Sequence, residues 1–353
     1  MIKECIRQLV DGNDLSFEDS QSALREIMAG EATDAQIAAF LTALRMKGET
    51  VEELTAFAKV MRENCVQLHP NVNGRMLDTC GTGGDKLKTF NISTAAAFVI
   101  AGAGVTIAKH GNRSVTSKSG SADVLECLGI NLKASPETVE KAIEQVGIGF
   151  MFAPVFHPAM KHAVAARKEV GIRTAFNVLG PLTNPASAEA QLLGVYDPEL
   201  TETLAYVLRK LDCEEAMVVH GLDGLDEVST LGKTVIAHMK GGEVTTREMT
   251  PKDLGVKRAS LENLQVATVE ENAETLFKTV NGKSGRDDAK TDIVLVNAAA
   301  GLIVSGKTRN FAEGVELAGE SISSGAAYMK LRELVRVTRG DFSRLEGLEH
   351  RYG

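Results

Sequence analysis

The 353-residue sequence has no tryptophan, eight prolines and five cysteines, and aromatic residues make up 5% of it. The cysteines (Cys5, Cys65, Cys80, Cys127 and Cys213) are odd in number, widely scattered and form no CxxC pair. That spacing supports neither a zinc ribbon nor a disulfide framework. No apolar run approaches the ~18 residues of a membrane span, and the N-terminus has neither the basic start nor the apolar stretch of a signal peptide. Positive charge is in short supply too. Lys and Arg number 39 against 47 Asp and Glu, a net charge of −8, which argues against a general nucleic-acid or membrane binder. The expectation is a cytoplasmic enzyme of about two domains, at ~150 residues per domain.

The first seventy residues read as helices. Ile37, Phe40, Leu41 and Leu44 recur at helical spacing with Gly48 as a stop, and Val51, Leu54, Phe57, Ala58 and Met61 mark a second apolar face. Thr33 with Gln36 and Thr50 with Glu53 have the spacing of capping boxes. From Met76 the texture changes to short apolar runs, glycine-rich turns and helical patterns, the signature of βα units. Strands are expected at Met76-Leu77, Val105–Ala108 and Ala216–Val219, with helices at Ser93–Ala101, Ser121–Leu128 and Ser135–Val146. Residues 234–249 read as a hairpin turning at Gly241-Gly242. The predicted fold class is α/β: a mixed, mostly parallel central sheet with flanking helices, plus a small helical domain. Its expected boundaries are 1–70 for the helical domain and 71–353 for the α/β domain.

One further absence is local. From Lys86 through Ala122 there is no Asp or Glu, whereas Lys86, Lys88, Lys109, Arg113 and Lys118 fall inside. At the overall acidic content, about five carboxylates would occur there by chance. Two loops that border or lie in this segment carry anion-binding chemistry. The first runs Asp78-Thr79-Cys80-Gly81-Thr82-Gly83-Gly84-Asp85 and then Lys88 to Thr94, opening a helix. Glycines let backbone N–H groups approach an anion, and the helix N-terminus adds partial positive charge. It is neither a dinucleotide fingerprint nor a P-loop, because the third glycine would fall at Lys86 and no GK[ST] follows. Taken alone, it could equally be a tight structural turn. The second loop, Lys109 to Ser121, offers cations, hydroxyls and an amide, the groups a multiply charged phosphate needs. Elsewhere, the adjacent carboxylates Asp226-Glu227 suit a hard divalent cation that bridges to phosphate, although such pairs are commonly just solvated. Around residues 152–185, four of the eight prolines flank one helical pattern, in which Phe156, Met160 and Ala163 read as core. His157 and Arg167 there are different in kind, and spacing alone leaves their roles open.

Taken in order, Gly81–Asp85, Asn91–Thr94, Lys109–Arg113, Gly120–Asp123, Phe152–Pro154 with His157–Lys161, Asn177–Asn184 and Asp226-Glu227 resemble the anthranilate phosphoribosyltransferase family. Each motif is weak, whereas the ordered set is specific and spans most of the chain. The resemblance implies a small helical domain, completed by part of 154–185, joined to an α/β domain. It also implies a homodimer and a Mg2+-dependent step of tryptophan synthesis that uses anthranilate and phosphoribosyl pyrophosphate. By the same resemblance, phosphoribosyl pyrophosphate would be held by Gly81, Gly84, Asp85, Thr89, Asn91, Ile92, Ser93, Thr94, Lys109, His110, Gly111, Asn112, Arg113, Ser114, Val115, Thr116, Ser117 and Ser121. Magnesium would be held by Ser93, Asp226 and Glu227, and anthranilate by Gly81, Asn112 and Arg167. No covalent catalytic residue is implied. The competing readings are a pyrimidine nucleoside phosphorylase and a nucleic-acid-binding paralogue on the same scaffold. The intact glycine motifs and carboxylate pair disfavour the first, and the net acidity disfavours the second.

Overall fold

The computed structural model describes residues 1–83, 87–114, 119–284 and 288–352. Four helices come first: α1 (Ile2–Val10), α2 (Phe17–Met28), α3 (Asp34–Lys47) and α4 (Val51–Glu63). Both expected capping boxes form, Thr33 with Gln36 and Thr50 with Glu53. Glu53 does more than cap. Its side chain is fully buried, with Oε1 accepting the Leu15 N–H at 3.0 Å and Oε2 accepting the Thr50 N–H at 2.8 Å. The Lys47 ammonium completes the set at 2.9 Å from Oε2. A carboxylate can be buried this way because it is both paired and hydrogen-bonded.

The α/β portion alternates β1 (Met76–Gly81), α5 (Ile92–Gly102), β2 (Thr106–Gly111), α6 (Ser121–Cys127), α7 (Pro136–Val146) and β3 (Ile148–Phe152). An irregular stretch follows with α8 (Ala153–Phe156), α9 (Lys161–Val170) and α10 (Phe176–Leu179). The sheet then resumes with β4 (Ala190–Gly194), α11 (Leu200–Lys210), β5 (Glu215–Gly221), β6 (Thr234–Lys240) and β7 (Glu243–Met249). Five helices close the described chain: α12 (Val269–Val280), α13 (Ala289–Val304), α14 (Phe311–Ser323), α15 (Ala326–Val337) and α16 (Phe342–Tyr352).

The seven strands lie in the order β3-β2-β1-β4-β5-β6-β7. The first five in that order are parallel, and β6 and β7 add as an antiparallel edge, with the hairpin turning where the sequence placed it. Both faces of the sheet are covered. On β4 and β5, Leu192, Met217 and Val219 face one core with α5 and α13, whereas Leu193, Ala216 and Val218 face another shared with α11 and the N-terminal helices. The period of two is what a strand imposes, and burial on both sides explains its nearly unbroken apolar sequence. In the 153–170 stretch the continuous helix expected from Phe156, Met160 and Ala163 does not form. The chain breaks at His157 and Pro158, passes through a single 3₁₀ turn and restarts as α9. Pro158 causes the break, since it disfavours helical backbone at the residue before it and donates no hydrogen bond. Phe156 and Ala163 are buried in different clusters, and Met160 is half-buried. Released from α8, helix α9 packs on α2 and α3.

Candidate functional site

Strand connections run one way from β1 (to β2) and the other way from β4 (to β5), so the sheet changes winding direction between β1 and β4. In open α/β sheets, the crevice outside the carboxyl ends of strands at such a point is where ligands sit. Several sequence-selected residues meet here. The Thr82 N–H donates to Gly194 O at 2.9 Å, and the Tyr196 N–H to Thr82 Oγ1 at 3.2 Å, which closes the β1 turn onto β4. Asp226, in the loop after β5, reaches across to accept the Gly83 N–H at 3.0 Å through Oδ2. Next to it, Glu227 Oε1 accepts the N–H of Ser93, in the first turn of α5, at 3.1 Å. Gly81, Gly83, Ser93, Asp226 and Glu227 thereby form one cluster at the positive end of a helix.

Two glycines make that approach possible. A Cβ on Gly194 would stand 1.6 Å from the Asp226 carbonyl oxygen, and one on Gly81 would stand 2.7 Å from Asp226 Oδ2. Gly194→Ala should therefore displace the Asp226 backbone, costing roughly 1–3 kcal/mol as an overpacking change and weakening magnesium dependence in parallel. Urea denaturation and a metal titration measure the two effects, and an unchanged titration would separate Gly194 from the carboxylate site.

The donor set suits magnesium. Mg2+ usually keeps several waters and takes one or two carboxylates plus substrate phosphates, without needing an all-protein cage. The Asp226 and Glu227 carboxylates, with Ser93 beside them in the first turn of α5, would offer such an incomplete, oxygen-only set. Burial pushes the Asp226 carboxyl above its ordinary pKa, a strain that a bound cation relieves.

The described residues of the second loop are tied to α6. The Asp123 carboxylate, on α6, accepts the Ser114 N–H at 3.2 Å and the Gly120 N–H at 2.9 Å, pinning both flanks of the segment between them. It also takes Arg113 Nη1 at 2.7 Å, and Glu126 takes Nη2 at 3.0 Å. The Arg113 guanidinium is thus already paired with acids just beyond the acid-free run. Asn112 is exposed, and its carbonyl accepts the Ala122 N–H at 3.3 Å and the Ser121 hydroxyl at 3.5 Å. Lys109 is buried, with its ammonium hydrogen-bonded to the Thr79 carbonyl beneath the β1 turn. Thr94 is fully buried with its hydroxyl unpartnered among the described residues, whereas Ile92 contributes its side chain to the core. Thr89 forms a bridge to Gln265 through its backbone. Gly84, Asp85, Val115, Thr116 and Ser117 lie outside the described residues.

A third group lies below the second loop. The His110 and His157 rings are 4.9 Å apart, and His110 Nδ1 is 3.2 Å from the Gly180 carbonyl. Both Nε2 atoms are buried without a partner among the described residues. Burial drives the His110 pKa down to about 3 and that of His157 to about 4. Both rings are therefore neutral in the folded protein near pH 7. An unfolded chain takes up protons below about pH 6.5 and the folded one does not. Stability from each ring is thus complete above that pH and is lost as pH falls toward 4, at about 1.4 kcal/mol per pH unit. His157→Gln should flatten this loss by one ring's share. Denaturation midpoints of the two proteins that run parallel from pH 7 to 5 would rule this out.

Arg167, on α9, stands over the Phe176 ring at 5.1 Å. Burial lowers its pKa, and no carboxylate pairs with it among the described residues. Phe176 belongs to α10, which leads directly to Gly180, the partner of His110. Arg167 is therefore joined to the second loop through α10 and makes no direct hydrogen bond to Gly81 or Asn112.

Comparison with known proteins fits this arrangement. Residues 3–65 match the glycosyl transferase family, helical bundle domain, and residues 73–328 match the glycosyl transferase family, a/b domain. An anthranilate phosphoribosyltransferase of Acetivibrio thermocellus is 52% identical over 97% of this chain and 98% of its own length. The chain belongs to the anthranilate phosphoribosyltransferase family. Another member, from Symbiobacterium thermophilum, is 51% identical over 96% of this chain and 98% of its own. Among solved anthranilate phosphoribosyltransferases, that of Thermus thermophilus superposes with a TM-score of 0.88 at 42% identity, covering 95% of this chain and 99% of that one. The Saccharomyces cerevisiae enzyme, solved in complex with phosphoribosyl pyrophosphate and Mg, gives 0.89 at 32% identity, covering 96% and 98%.

The sequence analysis assigns no role to Gly194 or Asp123. Asp123 has a readable signal, an acid three residues beyond Gly120 at a helix start. Gly194 has none, because its partner Asp226 is remote in sequence.

Proposed function

We propose that this chain transfers the phosphoribosyl group of phosphoribosyl pyrophosphate to the amino group of anthranilate, a step of tryptophan biosynthesis, at the crevice between β1 and β4. Family membership supplies the reaction, and the observation that carries the site is the meeting of Gly81, Ser93, Asp226 and Glu227 at the start of α5. Backbone N–H groups of the β1 turn and the first turn of α5 would bind the diphosphate, aided by the second loop from Lys109 to Ser121. Asp226, Glu227 and Ser93 would hold Mg2+, which supplies positive charge against the departing diphosphate. Arg167 would bind the anthranilate carboxylate, with Asn112 beside the acceptor. The aromatic amine is neutral and nucleophilic near pH 7, so the protein's work is to orient it and stabilise leaving negative charge. No protein nucleophile enters. Cys80, at the end of β1, is buried and its thiol is pushed well above its ordinary pKa, the opposite of an activated thiolate.

We take residues 1–70, completed by α9, as the helical domain and 71–353 as the α/β domain. The reading includes a homodimer. Val10 and Met46, on the N-terminal helices, are 70% and 83% exposed and are the apolar side chains such an interface would cover. A cytoplasmic location accords with five cysteines that form no disulfide. The test is to mix the protein with both substrates and magnesium and follow loss of anthranilate fluorescence. Loss that requires all three components, with pyrophosphate released, is expected. No loss, or phosphate-dependent cleavage of a nucleoside instead, would reject the reading. Sedimentation would report the dimer.

A further inference from the structure

The two donor loops open two different helices, Asn91 before α5 and Ser119-Gly120 before α6. One side chain touches both. Asn272 lies on α12, which packs against α5 and α6, and its side chain is fully buried. Its Oδ1 accepts the Asn91 N–H at 2.9 Å. Its Nδ2 donates to Asn91 Oδ1 at 2.8 Å and to Ser119 Oγ at 2.8 Å.

These partners fix two amide orientations. A backbone N–H can only donate, so Asn272 must turn its oxygen toward Asn91 N and its nitrogen toward the other two atoms. That nitrogen then meets Asn91 Oδ1, which leaves Asn91 Nδ2 to donate elsewhere. A phosphate oxygen can accept from Nδ2 and would be repelled by Oδ1. We infer that Asn272 is a positioning residue for the phosphoribosyl donor: it sets the amide of Asn91 with its N–H groups presented to the donor and fixes the spacing between the two loops. This rests on reading those loops as the phosphoribosyl pyrophosphate site. A fully buried asparagine is tolerated because this network satisfies its polar atoms, and the same network holds the partner side chains in one orientation.

Asn272→Asp keeps the size and the acceptor for Asn91 N–H, and replaces the donor with an acceptor. Asn91 must then turn its own nitrogen inward and present Oδ1 to the diphosphate. The expected result is a KM for phosphoribosyl pyrophosphate raised at least tenfold and a KM for anthranilate within twofold of wild type. The Kd for phosphoribosyl pyrophosphate with magnesium, measured by calorimetry, should rise by the same factor as its KM. Ser119→Ala, which removes one arm of the network, should raise the donor KM about threefold. It decides the matter if the aspartate variant does not fold. A folded Asn272→Asp protein that binds the donor within twofold of wild type overturns the inference. So does an equal rise in both KM values, which would mark a structural role only, and so does an unchanged donor KM in Ser119→Ala where that variant is the one that folds. If wild-type protein itself does not bind phosphoribosyl pyrophosphate, the site assignment fails, and the role of Asn272 fails with it.

Discussion

Replacing Asp226 and Glu227 together with alanine is expected to lower turnover roughly 10²–10³-fold, the effect of losing about 3–4 kcal/mol of preorganised charge stabilisation. The two carboxylates reach the β1 turn and the start of α5, where the leaving diphosphate would sit. The same change removes acceptors for the Gly83 and Ser93 N–H groups, each worth about 1 kcal/mol, so part of any loss could come from a loosened turn. Asp226→Asn with Glu227→Gln separates the two effects, because amide oxygens still accept those N–H groups but carry no charge. Turnover of the amide variant should stay close to that of the alanine variant, and its unfolding midpoint close to wild type. Wild-type activity should rise with magnesium and vanish with a chelator, whereas the amide variant should respond weakly to both. Turnover within threefold of wild type at limiting magnesium would remove these residues from the metal site.

Arg167→Ala should raise the KM for anthranilate by about 10- to 100-fold and leave that for phosphoribosyl pyrophosphate nearly unchanged. A half-buried guanidinium without a carboxylate partner among the described residues is an unusual thing for a fold to maintain, since burying charge costs free energy unless it is paired. The Phe176 ring beneath it gives a flat, weakly hydrated seat, and a planar carboxylate would complete the fork. Loss of a hydrogen bond to a charged group is worth roughly 1.5–3 kcal/mol, which sets the expected range. Arg167→Lys should recover only part of it, because an ammonium lacks the bidentate geometry. Anthranilamide provides a second arm. Without the carboxylate it should be a poor substrate for wild type and should be almost indifferent to the substitution. If both substrates of the Arg167→Ala protein show equal KM changes, Arg167 is a packing residue.

What the sequence determined by itself is local. The capping boxes at Thr33 and Thr50, the hairpin at Gly241-Gly242, the strand start at Met76 and the strand containing Ala216–Val219 are set by residues within a few positions of each other, so spacing alone exposes them. The acid-free segment and the ordered motifs pointed to a phosphorylated ligand for the same reason: each motif is contiguous. The sequence reading placed no element after residue 249 and missed β3 and β4, whose short apolar runs look like any buried segment until neighbouring strands give them partners. It also ran a helix through Pro158, where apolar spacing misled and local backbone chemistry won. Only the tertiary structure decided which residues face one another. It set Asp226 against Gly81 and Gly194, paired Arg113 with Asp123 and Glu126, stacked His110 beside His157 and brought Asn272 to Asn91 and Ser119. These pairs lie on separate elements, up to 181 positions apart, and no periodicity encodes them. They follow from the winding of the sheet, which places the carboxyl ends of β1, β4 and β5 together and turns distant loops into one site.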